Sequence, residues 1–349
     1  MASLDAPLHY GVDQPRVDAW LVAHLPDTTP PFDYEPITGG GSNLTFRVTD
    51  ADGRQWALRR PPTGPLLATA HDMAREVRIM TALASSPVPV PACEGYCDDP
   101  DVTGAPFYVM TFVDGYVIRD LETTKGMSRE DADVATDSLI DTQIALHTLD
   151  LDAQGLSGLS RHGDYVGRQL ARWRRQVEQA HVRDVPLVFD LHERLMKHKP
   201  TESVPPGLAH GDYRFDNVVL DERFRVAAVL DWELCTIGDP IADFVWSLEY
   251  WSNGDDPVSF LSDPPTASEV FASREEVVDR YRSRCGFEVG DLSYYRVFSW
   301  WKQACIVEGA LARQIGAARR GQTDKDPADT ARHADDLLEH ASELAVGVL

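Results

Sequence analysis

HGDYRFDNVVLDERFRVAAVLDWE, residues 210–233, contains two apolar, strand-like runs joined by a polar turn, the signature of a hairpin set among helical surroundings. Three oxygen-bearing side chains punctuate it. Asp212 and Asn217 lie five positions apart ahead of the first run, and Asp231 ends the second. Each of them alone reads equally well as a capped turn or as a buried carboxylate satisfying backbone amides. Their joint order suits the transfer of a phosphoryl group. That chemistry needs one carboxylate to orient or deprotonate an attacking hydroxyl, and further oxygen ligands for a magnesium ion bridging nucleotide phosphates.

Upstream, ITGGGSNLTFRVTDADGRQWALRR, residues 37–60, reads as strand, glycine loop, strand, tight turn at Asp52 and Gly53, strand. Leu44, Phe46 and Val48 alternate with Thr45, Arg47 and Thr49, as a half-buried strand requires. Gly39, Gly40 and Gly41 have no Cβ, so backbone N–H groups there can approach phosphate oxygens; in isolation the same run is an ordinary hairpin turn. Arg59 shares a strand face with Ala57, and Arg60 shares the other with Leu58. Either arginine fits as the cation beneath the glycine loop, with face parity supporting Arg59. HDMAREVRIMTAL, residues 71–83, predicts a helix with Met73, Val77 and Met80 on its apolar face and Glu76 beside it, placed to hold such a cation by a charge-assisted pair. Asp13, Pro15, Val17, Trp20, Leu21 and Leu25 predict a lead-in helix before the sheet.

The chain has 349 residues, 43% of them hydrophobic, enough for two lobes around a sizeable core. Lysine and arginine total 33 against 56 acidic residues, and the formal charge of -23 argues against nucleic acid and anionic membrane as partners. No apolar run approaches the roughly 20 residues of a membrane span, and no basic-then-apolar leader is evident, so a cytoplasmic location is expected. Five cysteines, an odd and mostly scattered number, read as reduced thiols. Cys93 and Cys97 form half a metal-binding spacing with no matching second half. From about residue 115 the pattern turns mainly helical, with capping signals at Ser128 with Asp131 and at Asp239 with Pro240.

In this order, the glycine loop, the arginine and glutamate, HGDYRFDN and VLDWE resemble the aminoglycoside phosphotransferase and choline kinase family, small-molecule relatives of the eukaryotic protein kinases. The last two motifs are the specific ones, and the resemblance covers nearly the whole chain. LRRPP, HGDYR and LDWELCTIGDP are most similar to the phosphotransferase-like proteins and domains associated with acyl-CoA dehydrogenases. The resemblance implies an α+β, bilobal protein kinase-like fold: a small antiparallel-sheet N-lobe over residues 1–114 and a larger, mainly helical C-lobe over 115–349. It implies that Asp212 is the catalytic base, that Asn217 and Asp231 bind magnesium, and that His210 holds the catalytic loop. Gly39, Gly40, Gly41, Ser42 and Asn43 would cradle the phosphates of ATP or GTP. Arg59 with Glu76 would replace the lysine and glutamate pair of kinases, and the backbone from Met110 to Val113 would receive the adenine. Arginine in place of lysine substitutes a planar fork for a point charge.

The helix signal at Asp239 and Pro240 follows Asp231 too closely for a long activation segment, so a small hydroxylated acceptor is expected rather than a protein. A nucleotide-binding scaffold without turnover is the alternative. Candidate acceptor contacts are Arg214, Glu233, Trp301 and Glu308, and the candidate acceptors are a hydroxy acid, a hydroxyacyl thioester or an aminoglycoside-like compound. A basic cluster, Arg161, Arg168, Arg172, Arg174 and Arg175, reads either as a solvated helix face or as a contact for an anionic acceptor. HGDY also occurs at residues 162–165, but there position 169 is Gln and no aspartate-ended hairpin follows. Val166, Leu170, Trp173 and Val177 instead form a helical stripe, which makes Asp164 a helix-start residue.

Overall fold

The computed structural model describes residues 11–37, 43–62, 72–159, 163–202, 204–252, 256, 258–319 and 326–349. Gly39, Gly40, Gly41, Ser42 and Arg161 lie outside them. The chain enters through helix α1 (Gln14–His24), whose first turn is closed by Asp13 accepting from the Arg16 amide. Strands β1 (Asp33–Pro36), β2 (Leu44–Thr49) and β3 (Gln55–Arg60) follow as a meander. Helix α2 (Met73–Leu83), strand β4 (Cys93–Cys97), the single turn α3 (Pro100–Thr103) and strand β5 (Phe107–Thr111) complete the first lobe. The five strands form one sheet in the order β1-β2-β3-β5-β4, antiparallel throughout.

The two faces of this sheet bury different things. Phe46, Val48, Trp56, Leu58, Phe107 and Val109 pack against Val17, Trp20 and Leu21 of α1. Ala57, Tyr108 and Met110 face Met73, Ile79, Met80 and Leu83 of α2. Each such leucine-sized side chain contributes roughly 1.5–3 kcal/mol when fully buried. Register pairs Ala57 with Met110 and Arg59 with Tyr108, so Arg59 emerges on the α2 face. Arg60 emerges on the opposite face, where its guanidinium donates to the carbonyls of Pro61 and Thr103. Glu76 differs from the expectation that it sits beside the apolar stripe. It lies at the centre of the buried face of α2 while Val77 is only partly buried, because the partners described below neutralise its carboxylate there.

Past β5 the chain passes Gly115, where a Cβ would stand 2.2 Å from the Leu220 carbonyl oxygen. Tyr116 and Leu220 exchange both backbone hydrogen bonds at 2.8 Å, tying the crossing between lobes to the second lobe. That lobe comprises α4 (Arg129–His147), opened by a capping box of Ser128 and Asp131, then α5 (Tyr165–Ala180), α6 (Pro186–Lys197), β6 (Gly207–Ala209), β7 (Val218–Leu220), β8 (Val226–Val229), β9 (Thr236–Gly238), α7 (Pro240–Glu249), α8 (Arg274–Arg284), α9 (Ser293–Arg319) and α10 (Pro327–Leu344). β7 and β8 form the expected hairpin. The β6 and β9 pair was not anticipated, since three-residue strands are too short to show a period. Asp164 caps α5 from a left-handed conformation, accepting from the Gly167 amide and pairing with Lys199.

Candidate active site

The loop from β6 to β7 is held from beneath by one carboxylate. Asp243, on the buried face of α7 and 1% exposed, accepts from the His210 amide at 3.1 Å, the Gly211 amide at 2.8 Å and His147 Nε2 at 3.1 Å. Burial pushes its carboxyl up, but hydrogen bonding to His147 and Gly211 and the nearby His210 outweigh that, and the group is held below the ordinary aspartate value. Gly211 has φ of +87°, and a Cβ there would meet the Leu234 carbonyl oxygen at 2.9 Å, so only glycine fits the turn. His210 is fully buried, with Nε2 2.9 Å from the Leu230 carbonyl oxygen. It joins the loop to the strand that delivers Asp231. Sequence reasoning missed Asp243. Its signal was a carboxylate one helical turn past the cap, among the apolar residues of DPIADFVWSLE.

Asn217 sits on a short 3₁₀ turn, Phe215–Asn217. Its Nδ2 donates to the Asp212 carbonyl at 2.7 Å and to Asp212 Oδ2 at 3.0 Å. Its own carbonyl accepts from the Leu230 amide at 2.8 Å, which brings Asp231 alongside. Asp231 has φ of +63°, a left-handed conformation that is uncommon for aspartate. Across the cleft, Arg59 Nη2 lies 2.5 Å from Asp231 Oδ1 and Arg59 Nε lies 3.2 Å from Glu76 Oε2. Tyr108 donates its hydroxyl to Glu76 at 2.8 Å, and Asn43 Nδ2 stands 3.4 Å from Glu76 Oε1 and 3.2 Å from Glu233 Oε2. Burial pushes the Glu76 carboxyl above its ordinary range, with Arg59 and Tyr108 pulling it back. Burial works to lower Arg59, and Tyr108, Asp231, Glu76 and Glu233 together raise it above its ordinary value, so it is a permanent cation. The Met110 side chain is buried beneath the sheet, while the Val113 backbone amide and carbonyl take no backbone partner among the described residues.

Four residues were expected as acceptor contacts, and the structure separates them. Arg214 stands beside Asp212: Nε is 3.3 Å from Asp212 Oδ1, Nη1 is 2.9 Å from Asp216 Oδ2, and the guanidinium lies 4.8 Å over the Tyr250 ring. A small, mostly apolar cavity of about 30 Å³ opens beside it, lined among others by Ile118, Leu139, Phe215, Leu248 and Val277. Glu233 lies instead in the cluster of Asn43 and Arg59. Trp301 is fully buried and donates from Nε1 to the Val188 carbonyl of α6 at 2.9 Å, so it is core. Glu308 is 2% exposed and is bound by Arg183 Nε at 2.9 Å, fastening α9 to the segment between α5 and α6. Bulk and charge at helical spacing do not reveal which face of a buried helix meets a cleft.

Residues 33–263 match the family described as phosphotransferase enzyme family. Mouse acyl-CoA dehydrogenase family member 10 is 32% identical over 361 residues, which cover 99% of this chain and 33% of that protein. Human acyl-CoA dehydrogenase family member 11 is 32% identical over 311 residues, covering 87% of this chain and 40% of that protein. The chain thus spans about a third to two-fifths of the length of these relatives. A Ralstonia eutropha structure solved as a candidate aminoglycoside phosphotransferase superposes with a TM-score of 0.79 at 29% identity, over 96% of this chain and 98% of that one. The GDP complex of aminoglycoside 2'-phosphotransferase-IIIa, at 17% identity and a TM-score of 0.63 over 95% and 99% of the two chains, shares the bilobal kinase-like fold. The matched span runs from β1 past the loop of Asp212, Asp231 and α7, and on that ground the chain belongs to the phosphotransferase enzyme family.

Proposed function

We propose that this chain is a small-molecule kinase that transfers the γ-phosphate of ATP or GTP to a hydroxyl of a small acceptor. The observation that carries this reading is the joining of Asp212, Asn217 and Asp231 through the Asn217 side chain and carbonyl, opposite the cation Arg59. Asp212 takes the proton of the acceptor hydroxyl as its oxygen bonds to the γ-phosphorus, and the bond from that phosphorus to the bridging oxygen breaks, releasing the nucleoside diphosphate. Asn217, whose Nδ2 donates to Asp212, keeps that carboxylate oriented and leaves the lone pairs of Oδ1 to ligate a metal. An all-oxygen pair of Asn217 and Asp231 fits magnesium, which prefers hard ligands and shares its coordination with phosphates. When bound, it would neutralise charge on the phosphates. Arg59, steadied by Glu76, contributes a second positive charge to the phosphates, and the backbone from Met110 to Val113 offers hydrogen bonds to the base.

Arg214 stands beside Asp212, its charge shared between Asp212 and Asp216. The acyl-CoA dehydrogenase names of the relatives favour a hydroxy acid or a hydroxyacyl thioester as acceptor over an aminoglycoside-like compound. The second reading, a nucleotide-binding scaffold, is favoured by one observation, the arginine that occupies Asp231. Nucleotide consumption measured over aminoglycosides, choline-like amines, hydroxy acids and hydroxyacyl thioesters separates the two. For a true acceptor, Asp212→Asn is expected to lower kcat roughly 10²–10⁴-fold, the usual contribution of a general base, while leaving nucleotide Kd nearly unchanged. Full turnover by Asp212→Asn would overturn the assignment, and saturable nucleotide binding with no turnover on any acceptor would favour the scaffold.

A further inference from the structure

Helix α9 carries a buried charge that the reaction described above does not use. Lys302 is 4% exposed, and no described residue gives its ammonium a hydrogen bond or ion pair. Nζ rests 3.6 Å from the centroid of the Trp246 ring on α7. Nearby, the indole nitrogen of Trp246 and the hydroxyl of Ser299, one turn before Lys302 on α9, are fully buried without a hydrogen-bond partner. An ammonium and an indole N–H can only donate, a hydroxyl can donate as well as accept, and no described residue accepts from any of the three. Asp243 on the same seam is taken up by His210, Gly211 and His147. Burial pushes the lysine down to about 8, Asp243 and Asp212 pull it up, and Arg172 pushes it down again. A ring face only partly offsets the desolvation of a buried cation, so the folded chain alone does not repay the burial of this charge.

The seam is one aromatic layer from the catalytic loop. Trp246 meets Tyr250 edge-on at 5.7 Å, Tyr250 lies 4.8 Å beneath the Arg214 guanidinium, and Arg214 stands 3.3 Å from Asp212. The Arg59, Glu76 and Asn43 cluster belongs to the opposite, nucleotide side. We propose that Lys302, with the indole N–H of Trp246 and the hydroxyl of Ser299, forms a subsite that binds a carboxylate of the acceptor and so determines specificity while the acceptor hydroxyl lies at Asp212. This rests on the small-molecule kinase reading and adds to it the residues that select the acceptor. Lysine here is a specificity device kept at the expense of stability, as unpaired polar groups in binding sites commonly are.

The test uses the whole chain and a simple probe pair, butyrate and its uncharged amide, butyramide. Thermal unfolding is followed as each is titrated into wild type, Lys302→Met, Lys302→Arg and Trp246→Phe, with calorimetric titration of magnesium nucleotide as a control. Butyrate is expected to raise Tm saturably in wild type where butyramide does not. Lys302→Met should abolish the response, Lys302→Arg should retain it in part, and Trp246→Phe should weaken it. Without ligand, Lys302→Met should melt above wild type, whereas a lysine kept for structure would leave the variant melting below it. An equal butyrate response in Lys302→Met, or no saturable response in wild type, would overturn the proposal. If Lys302→Met does not fold, undiminished responses in both Lys302→Arg and Trp246→Phe overturn it equally. Absence of a butyrate response in wild type with its nucleotide binding intact sinks the subsite alone, while failure of wild type to bind nucleotide sinks the kinase reading.

Discussion

Replacing Asp243 by asparagine tests whether one buried carboxylate holds the loop that carries Asp212. The wild-type side chain accepts three hydrogen bonds, from the amides of His210 and Gly211 and from the His147 ring, at 2.8–3.1 Å. Asparagine keeps one acceptor oxygen and turns an NH₂ group toward a donor. The loss of a charge-assisted bond costs roughly 1.5–3 kcal/mol and an unsatisfied buried N–H a further 1–3 kcal/mol. A total of about 2.5–6 kcal/mol is a large share of the roughly 5–15 kcal/mol that holds a typical domain folded. Urea unfolding followed by tryptophan fluorescence, with 8 tryptophans as reporters, measures it. Kinetics should show kcat lowered with nucleotide Kd retained, since the loop and not the phosphate cluster is disturbed. The pH dependence supplies a second check. The folded-state value of Asp243 is lowered, so its stabilisation is present above the unfolded value of about 4 and is lost as pH falls through the folded value. The stability gap between wild type and Asp243→Asn should therefore narrow in acid. A variant within about 0.5 kcal/mol of wild type, the range of ordinary surface substitutions, or a gap that stays constant with pH, would refute this account of the loop.

Arg59→Lys removes the fork that spans Glu76 and Asp231 and leaves a point charge able to pair with one of them. With Asp231 freed to the metal, the magnesium concentration at half-saturation, titrated calorimetrically at fixed nucleotide, should fall a few-fold; an unchanged midpoint would mean that the arginine does not compete there. Asp164→Ala removes a helix N-cap and the Lys199 pair, and should cost about 0.5–2 kcal/mol in urea unfolding while leaving kcat untouched. A loss of kcat would give the first HGDY a part in the chemistry. Gly115→Ala drives a Cβ against the Leu220 carbonyl and should cost about 1–3 kcal/mol of overpacking, with faster hydrogen exchange at the Tyr116 and Leu220 amides. Wild-type protection at those two amides would show that the bridge tolerates a side chain.

The sequence was most legible where local chemistry repeats along the chain. Alternation in β2, the cap and proline of α1 and the capping box of α4 are nearest-neighbour patterns, and each names its element directly. The parity of β3 also distinguished Arg59 from Arg60, because a strand has only two faces and Leu58 claims one of them. The site was legible where spacing encodes proximity, as from Asp212 to Asn217 across a single turn. It was not legible where proximity is tertiary. Asp243 is 31 residues beyond Asp212 and reaches the loop through the packing of α7, and Lys302 is distant from Trp246 in sequence. Glu308 and Trp301 failed as acceptor contacts for the same reason: on a helix buried nearly all round, composition does not say which side meets a partner helix and which a cleft.

The backbone bridge between Tyr116 and Leu220 also has a mechanical consequence. With residue 116 bonded to the second lobe, and Thr111 in the sheet of the first with the Phe112 amide held by the Gln55 carbonyl, the turning of one lobe on the other falls to residues 113–115. Displacement grows with the lever arm from that pivot, so the same rotation moves the edge next to Val113 little and the region of Asn43 and Arg59 far more. Under the proposed kinase reading, the edge that would meet the base then keeps nearly constant geometry while the end that would meet the phosphates moves more. A nucleotide is therefore expected to engage in two steps, base first and phosphates second, which stopped-flow fluorescence would resolve as a concentration-dependent phase followed by a concentration-independent one.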